Sequence, residues 1–156
     1  MYSEILEKNE YNSIFIVEAV LMNLCEDTKT ELIKNFGDDY IDETFDIIQD
    51  TEINVIRLKS NNEPVGLYGV IPQENNSAGI YLLTTDNLHK GNVITFLKQA
   101  KKQVNEWSQK YSLIMDNCYK KNETIKKWLK LLGFKPSQYQ SEEFQIYYKG
   151  DINEYN

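Results

Sequence analysis

One long amphipathic helix constrains the fold of this chain more than any other feature. Starting at Val93, apolar residues recur at offsets of 3, 4, 7, 11 and 14, ending at Trp107, and this spacing puts them on one face of an α-helix. Asn92 directly precedes the stripe and is a residue type that caps helix N-termini. The pattern therefore predicts a helix that begins after Asn92, buries this stripe and turns its lysines to water.

Apolar runs on both sides of this helix predict β-strands. Residues 53–58, 64–71 and 78–84 are separated by turn-forming residues, so we expect an antiparallel meander before the helix. Residues 112–118 follow the helix, and we expect them to pair in parallel with 78–84 because a helical crossover joins the two. A last strand is predicted at 143–149.

The first fifty residues predict helices, preceded by a short strand near residues 2–6. Apolar residues between Ile14 and Leu24 repeat at helical spacing. The expected boundaries of the two following helices are Thr28 with Glu31 as a capping box, Gly37 as a stop, and Asp38 or Asp39 as an N-cap.

Charge divides the chain into two parts. Residues 1–63 hold 15 Asp and Glu against 5 Lys and Arg, a balance of −10, whereas residues 87–135 hold 11 Lys against 3 Asp and Glu, a balance of +8. Two interpretations stay open: two solvated faces of opposite sign, or a lysine-rich half that holds an anionic ligand. The overall charge of −7 and the single arginine, Arg57, argue against nucleic acid as a partner.

Cysteine and histidine usage predicts no metal site. Cys25 and Cys118 lie far apart, and His89 is the only histidine. We expect two free thiols in a reducing compartment. The most apolar run, residues 13–24, is too short to span a bilayer. With no secretory signal in the first ten residues, these features predict a cytoplasmic protein without a membrane partner.

The segment Asn122–Phe134 resembles the last motif of the GNAT superfamily of N-acetyltransferases. That motif combines an asparagine, an amphipathic helix and a Gly-Phe pair leading into a strand, here Gly133 and Phe134. Upstream, Leu82–Asp86 is followed by a loop and the long helix. This order resembles the family's central strand, pyrophosphate loop and cofactor helix. The resemblance covers roughly residues 52–149.

The resemblance implies an α/β (α+β) fold with a mixed, mostly antiparallel twisted sheet. Helices would lie on both faces, and a parallel strand pair would lie at the centre. Residues 1–156 would form a single domain, in which 1–51 are a helical N-terminal part and 52–149 the acyl-CoA-binding part.

A closer resemblance is to the GNAT-like proteins of tailed bacteriophages, which include internal virion or assembly proteins. Its basis is the strand end Leu82–Asp86, the helix-terminal Trp107, Asn122 and the run Trp128–Phe134. This resemblance implies a phage or prophage origin and a location in the host cytoplasm or the virion.

The resemblance also implies acetyl-CoA as cofactor and an amine as acceptor. The implied cofactor-binding residues are Leu82, Leu83, Thr84, Lys90, Gly91, Asn92 and Asn122. Leu82 to Thr84 would offer backbone groups to the pantetheine. Asn122 would contact the cofactor or hold the loop, with helix capping as its plainer alternative.

The pyrophosphate loop departs from the family pattern Arg/Gln-x-x-Gly-x-Gly/Ala, in which small residues let backbone N–H groups close on phosphate. Of the corresponding residues, 88–93, only Gly91 matches, because Leu88 and Val93 replace a polar and a small residue. Lys90 and the helix dipole would still attract an anion. Alternatively, Gly91 only turns the chain into the helix.

The residues at the positions implied for catalysis also depart from the family pattern. Leu129 stands where many family members carry a tyrosine that protonates the CoA thiolate, and nearby Tyr119 either substitutes for it or serves packing. Asp86 and Asp116 are the carboxylates nearest the implied cleft, and each is a candidate base or a turn or capping residue. The catalytic residues are therefore left unassigned.

Two functions remain open at this point. The chain is either an N-acetyltransferase, with antagonism of host defence by acetylation as one role, or a non-catalytic phage virion or assembly protein that binds a phage or host protein. A homodimer through the C-terminal strands is a further expectation, although residues 141–149 are equally typical of an ordinary edge strand.

Overall fold

The computed structural model describes residues 1–6 and 10–154 of the chain. Its strands are β1 Tyr2–Ile5, β2 Asn54–Arg57, β3 Pro64–Gln73, β4 Ser77–Thr84, β5 Leu113–Tyr119, β6 Lys135–Gln140 and β7 Phe144–Gly150. They form one seven-stranded sheet in the order β1-β2-β3-β4-β5-β7-β6. β4 and β5 pair in parallel, while β1 with β2, β2 with β3, β5 with β7 and β6 with β7 pair antiparallel. The predicted mixed, mostly antiparallel sheet with a parallel central pair is confirmed.

The α-helices are α1 Glu10–Leu21, α2 Glu26–Phe36, α3 Tyr40–Ile48, α4 Val93–Lys110 and α5 Glu123–Leu131. Short 3₁₀ helices cover Gly37–Asp39, Asp86–Lys90 and Ile152–Glu154. The long helix α4 starts where its stripe predicts. Among the described residues, none of the helices combines the length and hydrophobicity that crossing a bilayer requires.

The chain divides into two compact units. The first unit comprises Met1–Gly69 and Tyr81–Phe96, and the second comprises Val70–Ile80 and Leu97–Asn156. In the first unit, buried side chains from β1–β4, α1, α2 and α3 and their flanks form a continuous hydrophobic core. Its members are Leu6, Val17, Val20, Leu21, Leu32, Ile48, Ile53, Val55, Leu67 and Leu83.

In the second unit, β7 pairs with the whole length of β5, from Leu113↔Gly150 to Tyr119↔Phe144. The amphipathic helix that the resemblance implies within Asn122–Phe134 is α5, and the apolar residues of α5 and its C-cap are buried: Ile125, Trp128, Leu129 and Leu132.

The predicted capping box of α2 is wrong. The helix begins at Glu26, Cys25 occupies the N-cap without a side-chain cap hydrogen bond, and Thr28 already lies in the first turn. The Thr28 hydroxyl accepts a hydrogen bond from Cys25 Sγ at 3.2 Å in the interior. Glu26 and Asp27 supply the negative charge that stabilises the N-terminal end of the helix dipole.

The expectation that the last strand is an edge strand is also wrong. β7 lies between β5 and β6, and β6 forms this edge of the sheet, opposite β1. The sequence did not reveal β6 because Tyr139 is the one large apolar residue in 135–140, too few for the apolar–polar alternation that marks a half-buried strand. Its proline, Pro136, is typical of edge strands, where a missing N–H is tolerated.

Candidate functional site

The end of β4 is held by the connection between α1 and α2. The Cys25 backbone N–H donates to the Thr84 carbonyl at 2.9 Å, and Leu24 forms an antiparallel bridge with Thr85. On the other edge of the strand, the Thr85 N–H donates to the Val65 carbonyl of β3 at 3.0 Å. Because successive residues of a strand direct their backbone groups to opposite edges, Thr84 faces the edge away from β3.

The same alternation divides the three β4 residues that the resemblance implies as cofactor contacts between the two edges of the strand. Leu82 lies two residues before Thr84, so its N–H and C=O also face the edge away from β3. Leu83 faces β3, and its side chain is buried in the core of the first unit. The Thr84 carbonyl already accepts a bond from Cys25, so Leu82 is the residue of the three whose backbone is best placed for a ligand.

The parallel ladder of β4 is short. It pairs Ser77 to Gly79 with Leu113 to Met115. β4 itself continues to Thr84. Leu82 therefore lies beyond the last pair of this ladder.

Three side chains meet at the end of β4. Cys25 Sγ lies 3.2 Å from Thr28 Oγ1 and 3.3 Å from Thr84 Oγ1, and the two hydroxyl oxygens are 3.4 Å apart. Sequence reasoning missed this cluster because more than fifty residues separate Thr84 from the other two.

Tyr81 anchors β4 immediately before Leu82. Its hydroxyl lies 2.9 Å from Thr51 Oγ1, and burial raises the pKa of Tyr81 to about 12. A Cβ on Gly69 would lie 2.5 Å from the Tyr81 hydroxyl oxygen, so the ring fits only against a glycine. This tyrosine is a fixed, protonated part of the framework.

The segment that follows β4 is a 3₁₀ helix rather than an open loop. The Leu88 N–H donates to the Thr85 carbonyl and the Gly91 N–H to the Leu88 carbonyl, each at 3.2 Å. The Leu88 side chain is buried, and His89 Nδ1 contacts the Asp86 carbonyl. Two N–H groups of the predicted pyrophosphate loop are therefore already used inside the chain.

Gly91 is explained by packing. Its backbone is extended, with φ −102° and ψ 171°, a conformation open to any residue. A Cβ at this position would overlap the side chain of Met1 and lie 3.0 Å from Leu58 Cδ2. The close approach of the Met1 and Leu58 side chains therefore gives Gly91 a packing role, and its contact with a phosphate remains a prediction.

The start of α4 is the most open part of the predicted site. Asn92 Oδ1 accepts the Ile94 N–H at 3.1 Å, which confirms the predicted N-cap. Asn92 and Lys90 are both exposed. The positive end of the α4 dipole and the Lys90 ammonium therefore lie at the surface of the first unit.

Asn122 belongs to the second unit and caps α5. It is only 1% exposed, and its Oδ1 accepts the Ile125 N–H at 3.3 Å. Leu129 is buried in the same helix, and the buried Tyr119 ring lies 5.6 Å from that of Phe144. Asp116 is half-buried on β5, in register with Tyr147.

The first unit contains a cleft of about 390 Å³ near the end of β4. Ala19 and Asn23 line it from α1 and the turn that follows, Glu63 and Pro64 from the start of β3, and residues 85–87 from the end of β4. Asn87 Nδ2 donates to Glu63 Oε2 at 2.9 Å. Sequence reasoning found Asp86 here but missed Glu63, Asn23 and Asn87, which no spacing connects.

The sequence matches no protein-family model and no curated protein. Solved structures do match. A GNAT-family acetyltransferase from Staphylococcus aureus aligns with a TM-score of 0.63 at 15% identity, over 95% of this chain and 98% of that one. Aminoglycoside 6'-acetyltransferase type Ii aligns with a TM-score of 0.64 at 14% identity, over 96% and 97%.

The microcin C7 self-immunity acetyltransferase, solved in complex with acetyl-CoA and AMP, aligns with a TM-score of 0.61 at 14% identity, over 96% of this chain and 92% of that one. Each alignment spans nearly the whole length of both chains. The order of strands and the parallel central pair agree with this similarity. This chain has the fold of the GNAT acetyltransferases.

Proposed function

We propose that this chain is an N-acyltransferase that moves an acetyl group from acetyl-CoA to an amine. The observation that carries the proposal is the end of β4, which continues past its three-pair parallel ladder and leads through one 3₁₀ turn into the exposed start of α4. A strand with backbone groups outside its ladder can pair with the amides of pantetheine. An exposed helix N-terminus can hold phosphate.

The proposed cofactor contacts are fewer than the sequence resemblance implies. Leu82 would offer its backbone to pantetheine, and the first turn of α4 with Lys90 would hold the phosphates. The structure gives Leu83, Gly91 and Asn122 packing or capping duties, and the Thr84 carbonyl already has a donor. A cofactor contact by these four residues remains a prediction.

In the proposed reaction, the neutral amine nitrogen attacks the thioester carbonyl carbon. The C–N bond forms, the C–S bond breaks, the amine loses a proton, and the CoA thiolate gains one. The base that accepts the amine proton is left unassigned; Asp86 and Asp116 are the candidates from the sequence, acting directly or through a water. Leu129 cannot donate a proton, so in this proposal the thiolate is protonated from solvent.

Asn92→Asp is the variant that tests cofactor binding most cleanly. Aspartate keeps the capping oxygen and favours the helix dipole, so we expect the thermal stability to be unchanged or raised. The added charge repels phosphate, so acetyl-CoA affinity measured by titration calorimetry should fall by roughly tenfold, about 1.4 kcal/mol. Acetyl-pantetheine, which lacks the nucleotide phosphates, should bind the variant and the parent chain alike.

Equal binding of acetyl-CoA to both proteins would exclude the start of α4 as the phosphate site. No binding of acetyl-CoA to the parent chain at millimolar concentration would overturn the acyltransferase proposal as a whole.

The second candidate is a non-catalytic protein, such as a phage virion or assembly component, that uses the scaffold to bind a phage or host protein. The 3₁₀ helix at Asp86–Lys90 favours it, because the N–H groups of Leu88 and Gly91 bond within the chain. The buried Leu129 in place of an acid favours it as well. The phage origin belongs to this proposal and rests on the sequence resemblance. A stable complex with a virion protein in co-purification, without acetyl-CoA binding, would support it.

A further inference from the structure

The connection between β4 and α4, residues 85–91, is held at both ends by residues distant in the sequence. We call it the connecting segment. At its C-terminal end, a Cβ on Gly91 would overlap the Met1 side chain and lie 3.0 Å from Leu58 Cδ2. Met1 is 3% exposed and Leu58 5%. Both flank Tyr2↔Arg57, the first pair of the ladder between β1 and β2, so they lie side by side.

At its N-terminal end, the connecting segment is held by β3 and by the turn before β3. The Thr85 N–H donates to the Val65 carbonyl at 3.0 Å. Asn87 Nδ2 donates to Glu63 Oε2 at 2.9 Å. Leu88, between the two ends, is buried. Backbone, side-chain and packing contacts therefore all hold the segment in one position.

Arg57 braces the turn that carries Glu63 against β1. Arg57 Nε donates to Glu4 Oε1 at 2.6 Å, and Arg57 Nη1 donates to the Asn62 carbonyl at 2.9 Å. The Tyr2 hydroxyl donates to Asn62 Oδ1 at 2.8 Å. The contacts therefore form a closed ring within the first unit, from β1 through the turn to the connecting segment and back to β1.

Four side chains of this ring hold the connecting segment, and we call them the clasp: Met1, Leu58, Glu63 and Asn87. We propose that the clasp positions the first turn of α4 and Lys90 for the phosphates of the cofactor. Its members are positioning residues, because they act through the segment and not by touching phosphate themselves. This inference rests on the proposed acyltransferase function and adds residues to its cofactor site.

The structure of the segment explains why such positioning matters. The Leu88 and Gly91 N–H groups are bonded within the chain, so the segment does not fold around a phosphate with these groups. The proposed phosphate contacts are left to the start of α4, where the effect of the helix dipole is confined to the first turn. A helix start that is fixed before binding avoids the entropy cost of ordering it on binding.

Glu63 has two opposing effects on phosphate binding, and this makes the inference testable. Its negative charge repels phosphate, whereas its hydrogen bond with Asn87 holds the connecting segment. Glutamine at this position keeps an acceptor oxygen without the charge, and alanine keeps neither. Charge and positioning therefore predict opposite results for the alanine variant.

The test titrates the full chain with acetyl-CoA and, separately, with acetyl-pantetheine. Asn87→Ala should weaken acetyl-CoA roughly fivefold, because the segment loses its bond to the turn. Glu63→Ala should weaken it roughly two- to fivefold despite the removed negative charge, whereas Glu63→Gln should bind at least as tightly as the parent chain. Acetyl-pantetheine, which lacks the nucleotide phosphates, should bind all of them alike.

A double variant and a control complete the series. Asn87→Ala combined with Glu63→Ala should be no weaker than the weaker single variant, because both changes remove the same hydrogen bond. Asn35→Ala is the matched control, since Asn35 is an exposed asparagine on α2 in the same unit. It should change neither affinity, and thermal unfolding verifies that every variant is folded.

Tighter acetyl-CoA binding by Glu63→Ala, as its charge alone predicts, would overturn the inference, and so would unchanged binding by Asn87→Ala. A parallel loss of acetyl-pantetheine affinity would also overturn it, by showing that the variants disturb more than the phosphate site. The parent chain keeps the two proposals apart. If it does not bind acetyl-CoA, the acyltransferase proposal fails and takes this inference with it. If it binds and the clasp variants bind equally well, only the inference fails.

Discussion

The two units use the residues of the sequence resemblance in different ways. In the second unit, the residues that carry the sequence resemblance have structural roles. Asn122 caps α5, Trp128 and Leu129 are buried, and Gly133 adopts a positive φ of 95° at the helix end. In the first unit, the glycine of the predicted loop packs against Met1 and the loop itself is a 3₁₀ helix. A motif that is easily recognised can therefore report the fold alone, and the cofactor contacts that we propose lie in the first unit.

The opposite charges of the two parts also have a partly structural cause. Acidic residues occupy the first turns of α2 and α3, and lysines occupy the last turns of α4 and α5. Both arrangements stabilise the helix dipoles. These helix ends account for two of the eleven lysines of residues 87–135, so both interpretations of the lysine-rich part stay open.

The largest expected effect tests whether Gly91 is a packing residue. Gly91→Glu should destabilise the fold by about 3 kcal/mol, because the new side chain overlaps Met1 and reaches Leu58. Gly91→Ala should cost about 1–3 kcal/mol for the same reason. Urea denaturation measures both. Unchanged stability would mean that the segment yields easily and that the glycine is available to a phosphate after all.

A second test concerns how firmly β4 is anchored before Leu82. The pKa of Tyr81 is raised to about 12 in the folded chain, against an ordinary value of 10, so the folded state retains a proton that the unfolded state loses. The contribution to stability is complete below pH 10 and disappears as the pH rises from 10 to 12. At about 1.4 kcal/mol per pH unit it amounts to about 2–3 kcal/mol.

Tyr81→Phe should therefore flatten the stability profile between pH 10 and 12, while costing about 1 kcal/mol at neutral pH through the lost bond to Thr51. Tyr111→Phe, at a half-buried tyrosine of the second unit, is the control. If both variants follow the wild-type profile, Tyr81 is not anchored as the structure indicates.

The fold was largely predictable because its elements are periodic. The apolar stripes of α4 and α5 follow a local periodicity, and the α4 crossover between two apolar strands determines that β4 and β5 pair in parallel. β6 was not predicted because its sequence, which contains Pro136 and few apolar residues, lacks the apolar periodicity of a half-buried strand. The capping box failed because Thr28 is drawn inward by Cys25 and Thr84, a contact between distant residues.

The candidate site was predictable only in part for the same reason. Asn92 follows a local rule, and its role as N-cap is confirmed. The cleft combines Asn23, Glu63 and Asp86 from three separate segments, so its lining emerges only when the chain is folded. The duty of Gly91 likewise depends on Met1, ninety residues earlier.

A third, smaller effect distinguishes capping from cofactor binding at Asn122. Asn122→Ala should cost about 1–2 kcal/mol, because it leaves the Ile125 N–H without its acceptor. Asn122→Ser retains an acceptor oxygen without adding a buried charge and should cost less. Thermal unfolding checks both values. If Asn122→Ser keeps its stability but loses acetyl-CoA affinity tenfold, the second unit contributes more than folding, and the contrast between the units fails.

The smallest expected effect concerns Lys90, an exposed cation at the start of α4. Lys90→Gln should weaken acetyl-CoA roughly two- to fivefold, since an exposed charge near phosphate contributes about 0.3–1 kcal/mol. The loss should shrink at high salt because the interaction is screened. Lys59→Gln, which removes another exposed lysine of the first unit, should leave the affinity unchanged. Equal losses from both variants would show that the first unit attracts the cofactor by its overall charge and that the helix start has no special part in it.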